Sequence, residues 1–494
     1  MTAVALREAL HLVDVLAGTG GTLVTRVAGE IAFTGVSIDS RTTPPGALFV
    51  AVRGPRFDGH DFLAEAAGRG ARAALVHRDA AAPAGFPRVR VADTTRGLAD
   101  LARHVRREAA LPVVAVTGSV GKTTTKDMTA HLLATRGPVL KTEGNLNNQY
   151  GLPLTLLRLA PGHTAAVLEM GMSAPGEIRA LSTLAEPDVA TITRIAPVHL
   201  EFFPSVDAIA DAKAEILEGL RPGGTAVLNG DDPRVRVIGE RFSGRVVWFG
   251  RGRRFEVSAE NERMEEGPAN GPSSGPSGER TRATRASRGS GGGMTFDLRV
   301  AGRSVAVAMP LAGPHFVTSF LAAAAAAHVL GIPLEAMAEA ATSLRPARHR
   351  GEVRRLGERV MLLDDSYNSS PEALEAAVVA LSLLPGERRV AVLGDMLELG
   401  PTGPALHRER GRALAGRVDA VVGVGPLAGE IVEGAREAGL PAASLHHFAT
   451  ASETAEALVR LVRPGDAVLV KASRAVRLEA VVDALAARFG EGEA

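Results

Sequence analysis

The stretch LPVVAVTGSVGKTTTK, residues 111 to 126, constrains the fold of this chain more than any other. An apolar run rich in valine passes straight into a glycine turn, and the turn straight into residues that suit a helix. Apolar character without polar alternation marks a strand covered on both faces, the kind found in parallel sheets with helices on each side. Glycine at 118 and 121 lets the backbone curl so that successive N–H groups and a helix N-terminus face one anion. Gly118, Ser119, Val120, Gly121, Lys122, Thr123 and Thr124 are therefore expected to cradle ATP. In that arrangement the Lys122 ammonium reaches the β- and γ-phosphates and the Thr123 hydroxyl binds Mg²⁺. Strict GxxxxGK[ST] spacing asks for glycine at 116, where this chain has Val116.

The same rhythm recurs. TAAVLEMG, DVATITRI and TAVLNG are further apolar runs separated by helical stretches, and VMLLDDSYN, RRVAVLGDM, DAVVGVG and DAVLVKASR repeat it later. FTGVSIDSR, ALFVAVRG, DFLAEAAGRGA and AALVH make a smaller α/β unit before residue 108. With 494 residues the chain exceeds a single core, and domains of roughly 150 residues suggest about three. The expected units are 1–107, 108–313 and 314–494, all α/β, the middle one a P-loop parallel sheet and the last Rossmann-like. GVGPLAG, from Gly423, reads as a strand-to-helix turn because its spacing is not that of a dinucleotide site. Residues 261–293, rich in Gly, Pro and Ser and carrying Arg280, Arg282, Arg285 and Arg288, read as a disordered insertion in the middle unit. MTAVALREALHLVDVLAG at the start, interrupted by Arg7, Glu8 and Asp14, reads as an amphipathic first helix and not as a signal peptide.

Composition narrows the function. A net charge of +1 is too weak to gather nucleic acid or an anionic membrane. The alanine-rich run from Leu321 to Ala327 ends at His328, far short of the roughly 20 apolar residues of a membrane span. Absence of cysteine excludes disulfides and thiolate metal sites and suits a cytoplasmic protein.

Only five of the 56 basic residues are lysine: Lys122, Lys126, Lys141, Lys213 and Lys471. Arginine serves equally well on a solvated face, so a chain this biased is expected to keep lysine where a compact, deprotonatable amine is needed. Lys213, in IADAKAEILEG, follows two strand ends that carry Glu169 and His199. A carboxylate, an imidazole and the Thr123 hydroxyl at neighbouring strand ends can hold Mg²⁺. A neutral lysine amine can add CO₂ and become a carbamate, an anionic oxygen ligand that arginine cannot make. Keeping lysine neutral at pH 7 costs about 4.6 kcal/mol, which nearby Mg²⁺ charge offsets.

Taken together, these motifs resemble the ATP-dependent Mur ligases of peptidoglycan synthesis over nearly the whole chain outside residues 261–293. VSIDSRTTPPGALFVAVRGPRFDGHDF is similar to the family's uridine-nucleotide segment, with Asp39, Ser40 and Arg41. EGNLNNQYGLPLTLL, with Asn145, Asn147 and Asn148, and DDSYNSSP, with Asp365 and Asn368, are similar to the branch that adds D-alanyl-D-alanine to UDP-N-acetylmuramoyl-tripeptide. GDMLELG and VLVKASR are also family-like. The resemblance implies substrate contacts at Ser40, Asn147, Asn148, Lys471 and Arg474, and ATP contacts at Arg350 and Asp365. It implies catalysis through Lys122, His199 and carbamylated Lys213, with two Mg²⁺ ions on Thr123, Glu169, His199 and Lys213. An acyl phosphate would form on the tripeptide and the dipeptide amine would displace phosphate, in a cytoplasmic monomer without nucleic-acid or membrane partners. Where the family usually has asparagine this chain has Ser173, Arg194, Phe316, Ser319 and Ser370, and Phe202 and Ala472 replace common glycines. Two other readings stay open: a sister ligase adding one amino acid, whose DNPR-type motif is absent here, and a P-loop protein that binds nucleotide without ligating.

Overall fold

Among the described residues, three sheets follow one another in chain order. The structure, a computed structural model, describes residues 3–27, 29–265, 292–357 and 360–490. In the first sheet, Ala32–Ser37, Ala47–Val50, Ala73–Val76 and Arg88–Arg90 run parallel, each apolar on the buried face. The opening residues differ from expectation. Ala3–His11 is a strand, antiparallel to Ala32–Ser37 with a bulge between Ala5 and Leu10, and only Leu12–Thr19 is helical. An open sheet edge supplies backbone partners that local helical propensity cannot outweigh. His11 marks the change of direction, its N–H donating to Asp14 Oδ2 at 2.8 Å.

The helix Thr94–Ala109 joins this unit to the next by burying Arg106, whose Nε donates to the Ala185 carbonyl at 2.9 Å. The middle sheet has nine strands, with Val113–Thr117 flanked by Val189–Ile192 and Ala165–Glu169, all parallel. Thr117 pairs with Ile192, and Val116 with Glu169, so the three strands end at one level. Because the chain leaves Val113–Thr117 toward one side of the sheet and later returns to the other, a crevice opens at those ends. Arg245–Arg251 and Val139–Lys141 extend the sheet and carry no strong pattern of their own.

A long hairpin, followed by the outermost strand Arg303–Met309, forms its far edge. Val257–Glu265 and Gly293–Val300 pair antiparallel, down to Glu265 against Gly293. Residues 261–265 and 293, expected within a disordered insertion, are therefore strand; 266–291, with the four arginines, lie outside the described residues. The boundary expected near Gly313 also shifts. Pro314–Val329, eleven of its residues buried, packs on the helix Lys122–Leu133 and into the core of the middle sheet. Its alanines allow that close approach, and the third sheet begins only at Glu352–Leu356.

That third sheet orders its strands Glu352–Leu356, Val360–Asp365, Asp466–Lys471, Arg388–Gly394, Ala420–Val424 and Leu445–Phe448. All but the first are parallel to their neighbours, with apolar clusters on both faces. Leu445–Phe448, at the edge and carrying two histidines, has no readable strand pattern. Among the described residues no helix is long and apolar enough to cross a membrane.

Candidate active site

A cleft of ≈ 1660 Å³ lies between the ends of the middle strands and the third sheet. Its floor is the phosphate loop. Gly118 and Gly121 have φ of +148° and +87°, and a Cβ on Gly118 would lie 2.0 Å from Thr193 Oγ1, so only glycine fits there. The Thr193 hydroxyl donates to the Val120 carbonyl at 2.7 Å, and Ser119 N–H to the Arg194 carbonyl at 2.6 Å. Thr193 thus braces the loop, a role unmarked in the sequence. Lys122 Nζ donates to the Gly118 carbonyl at 2.8 Å, curled over the loop it would share with a phosphate. Burial lowers the Lys122 ammonium's pKa, against an attraction to Glu169 that raises it.

Glu169, 3% exposed at its strand end, is held by two donors. Thr123 Oγ1 donates to its Oε2 and Asn147 Nδ2 to its Oε1, each at 2.8 Å. Gly171 permits this, since a Cβ there would stand 3.1 Å from the Asn147 amide. Asn148 instead serves the backbone, where its Oδ1 accepts from Tyr150 and Gly151 N–H and starts the helix Gly151–Leu156. His199, with φ of +58°, places Nδ1 2.5 Å from Glu398 Oε2, an ion-pair distance without hydrogen-bond alignment. That contact holds the Glu398 carboxyl below its ordinary pKa. Sequence reasoning does not single out Glu398, although GDMLELG contains it.

Lys213 sits on the helix Val206–Ala214, is 1% exposed, and lines the cleft. Among the described residues no carboxylate pairs with it; burial first, and the Lys122 charge second, push its pKa well below the ordinary value. A buried amine without an anionic partner is the state a carbamate needs. Hard oxygen donors at Glu169 and Thr123 suit Mg²⁺, which usually keeps waters and shares ligands with substrate phosphates. No group of three or more acidic, histidine or cysteine side chains among the described residues forms a ready metal cage.

The opposite wall comes from the third sheet. Asp365 and Lys471 are register partners on adjacent strands, with Lys471 Nζ 2.5 Å from Asp365 Oδ2 and 2.9 Å from the Asn368 carbonyl. Burial raises the Asp365 pKa, and Lys471 opposes it. Arg350 and Arg474 stack over the Tyr367 ring at 4.0 and 5.4 Å. Phe316 and Ser319, where asparagines are the family expectation, point inward: Phe316 is 2% exposed and packs on Gly351, and Ser319 Oγ donates to the His315 carbonyl at 3.2 Å. Ser370 caps the helix Pro371–Ser382. Ser40 is not on this cleft; it lies in the first unit, its hydroxyl donating to Glu65 Oε2 at 2.8 Å.

Comparison with known proteins adds the family. Three family models match in order: the Mur ligase family catalytic domain over residues 32–106, the Mur ligase middle domain over 116–327, and the Mur ligase glutamate ligase domain over 349–474. The UDP-N-acetylmuramoyl-tripeptide--D-alanyl-D-alanine ligase of Escherichia coli is 37% identical, covering 92% of this chain and 94% of its own. That of Bacillus subtilis is 34% identical, covering 94% and 95%. The crystal structure of MurF from Acinetobacter baumannii superposes with a TM-score of 0.84 at 31% identity, over 98% of this chain and 99% of that one. MurF from Thermotoga maritima, solved in complex with ADP, gives 0.78 at 30% identity over 92% and 97%.

Proposed function

The chain belongs to the Mur ligase family, and from that premise we propose that its cleft joins D-alanyl-D-alanine to UDP-N-acetylmuramoyl-tripeptide with ATP. The products are UDP-N-acetylmuramoyl-pentapeptide, ADP and phosphate. Relatives carrying that name match almost end to end at more than 30% identity, and this supports the substrates over a sister ligase or a mere nucleotide binder. The observation that carries the reading is the meeting of phosphate loop, Glu169 and Lys213 on one wall with Asp365, Lys471 and Arg350 on the other.

Forming an amide from a carboxylate in water is uphill, so the carboxylate is first phosphorylated. The peptide carboxylate attacks the γ-phosphorus, ADP leaves, and the dipeptide amine then displaces phosphate from the acyl carbon. Lys122 and the loop N–H groups hold the phosphates in line and neutralise their charge. Mg²⁺, when bound through Thr123, Glu169 and His199, adds positive charge at the transferring phosphate. Lys213 is the carbamylated ligand: its neutral amine adds to CO₂ and releases a proton, which its burial and its lack of an anionic partner among the described residues favour. Arg350 and Asp365 take the nucleotide side, Lys471 and Arg474 with Asn147 the peptide side, and Ser40 the uridine end. Asn148, occupied by its own turn, shapes the wall. The third unit closes over the acyl phosphate and keeps water out. One chain supplies every part, which supports a monomer, and ATP as donor supports a cytoplasmic location.

Phosphate release from MgATP with the UDP-tripeptide, measured with and without D-alanyl-D-alanine, tests this. Release that needs both substrates, together with a UDP-pentapeptide product, is expected. Release indifferent to the dipeptide would return the chain to the sister-ligase or binding-protein reading.

A further inference from the structure

Past the phosphate loop the cleft continues along the third unit, where the helix Pro371–Ser382 turns one face inward. Glu372, Ala376 and Val379, spaced by four and three residues, line the cleft from that face. Glu372 is half-buried; its Oε2 is covered and finds no donor. Across the cleft stands Arg194, two residues beyond the strand Val189–Ile192, with its backbone pinned to the phosphate loop through Ser119. The Arg194 side chain is exposed, and among the described residues its guanidinium makes no hydrogen bond or ion pair. A third charge nearby, Arg410, is already countered by Glu409 and Glu375.

Two opposite charges thus face each other without closing to an ion pair. Burial raises the Glu372 pKa, and its own backbone N–H first, then attraction from Arg194 and from Arg410, lowers it, so the charges lie within electrostatic reach. A phosphate alone would be repelled by Glu372, and a lone ammonium by Arg194. A ligand with an ammonium at one end and a carboxylate at the other satisfies both, and Ala376 and Val379, which line the same cleft, suit methyl groups. The last torsion of a glutamate is soft, so either oxygen can turn to the cleft.

We infer that Glu372 and Arg194 are the specificity pair for the acceptor dipeptide, Glu372 receiving its ammonium and Arg194 its carboxylate. The inference rests on the ligase reading above. It also gives Arg194, which stands where the family usually has asparagine, a role distinct from the nucleotide. Since one partner belongs to the middle unit and the other to the third, the bound dipeptide bridges the two walls.

The test is steady-state phosphate release with each substrate varied in turn. Loss of one charge-assisted contact is worth about 10- to 100-fold in affinity. Glu372→Gln is expected to raise the KM for D-alanyl-D-alanine by about that factor while the KM values for ATP and the UDP-tripeptide stay within about twofold. Glu372→Asp, which keeps the charge, should fall in between. D-alanyl-D-alaninamide, lacking the carboxylate, should be a poorer acceptor than the dipeptide for the unaltered enzyme, and Arg194→Gln should erase that preference. An unchanged dipeptide KM in Glu372→Gln, or a raised ATP KM with the preference intact in Arg194→Gln, overturns the inference while the ligase reading stands. Failure of the unaltered enzyme to need the dipeptide overturns both.

Discussion

Two buried lysines, one on each wall of the cleft, behave in opposite ways. Lys213 is 1% exposed and Lys471 2%, yet Lys471 is matched by Asp365 and Lys213 by nothing anionic among the described residues. Burial alone therefore does not set the charge of a lysine. A carboxylate one strand away pairs with Lys471, whereas Lys213, which among the described residues feels the charge of another lysine and of no carboxylate, is driven toward the neutral amine that can be modified.

The largest effect expected from breaking this contrast is in Lys213→Ala. Removing the ligand should lower the rate of amide formation by about 10²–10³-fold, with partial recovery when a short carboxylate such as acetate is added. Recovery of the same size in Lys471→Ala would mean that the two lysines are not different in kind. The second effect is on stability. Lys471→Met leaves Asp365 without its partner and should cost about 3 kcal/mol in urea unfolding. The pH dependence sharpens the point, because Lys471 also acts on His315, whose pKa is pushed down to about 4 by burial first and by Lys471 and Arg251 next. An unfolded histidine takes its proton near pH 6.5, so between that value and about 4 the unfolded state holds the extra proton. Stability must then fall as pH drops through this window. Lys471→Met should narrow the window from below and flatten the slope, as read from unfolding midpoints at pH 7 and pH 5. The smallest effect is in the scaffolds: Ser205→Ala, which removes the 3.1 Å cap on the helix bearing Lys213, should cost about 1 kcal/mol. If it instead abolished activity, the position of Lys213 would depend on that helix end and not on its packing.

The scarcity of lysine is informative but not uniform. Lys141 is exposed and pairs with Asp127 on the surface, and Lys126 is buried with its amine on the Thr142 carbonyl, so neither needs a chemical role. The P-loop, the parallel strands and the strand-end position of Glu169 are legible because each depends on a few adjacent residues. The first strand is not, since Ala3–His11 is ordered by Ala32–Ser37, its partner across the sheet. The helix Pro314–Val329 escapes for a related reason: an alanine run carries no mark of which core will accept it. Glu398 and Glu372 lie in segments with recognisable patterns, but nothing local says that one will meet His199 and the other will stand across from Arg194.

By itself, then, the sequence determined the phosphate loop and the parallel α/β class, because glycine geometry and apolar runs act within a turn or a strand. Only the tertiary structure decided the charges. Lys471 meets a carboxylate 106 residues away and Lys213 meets none among the described residues, and the state of an ionisable group follows the partners that folding places beside it.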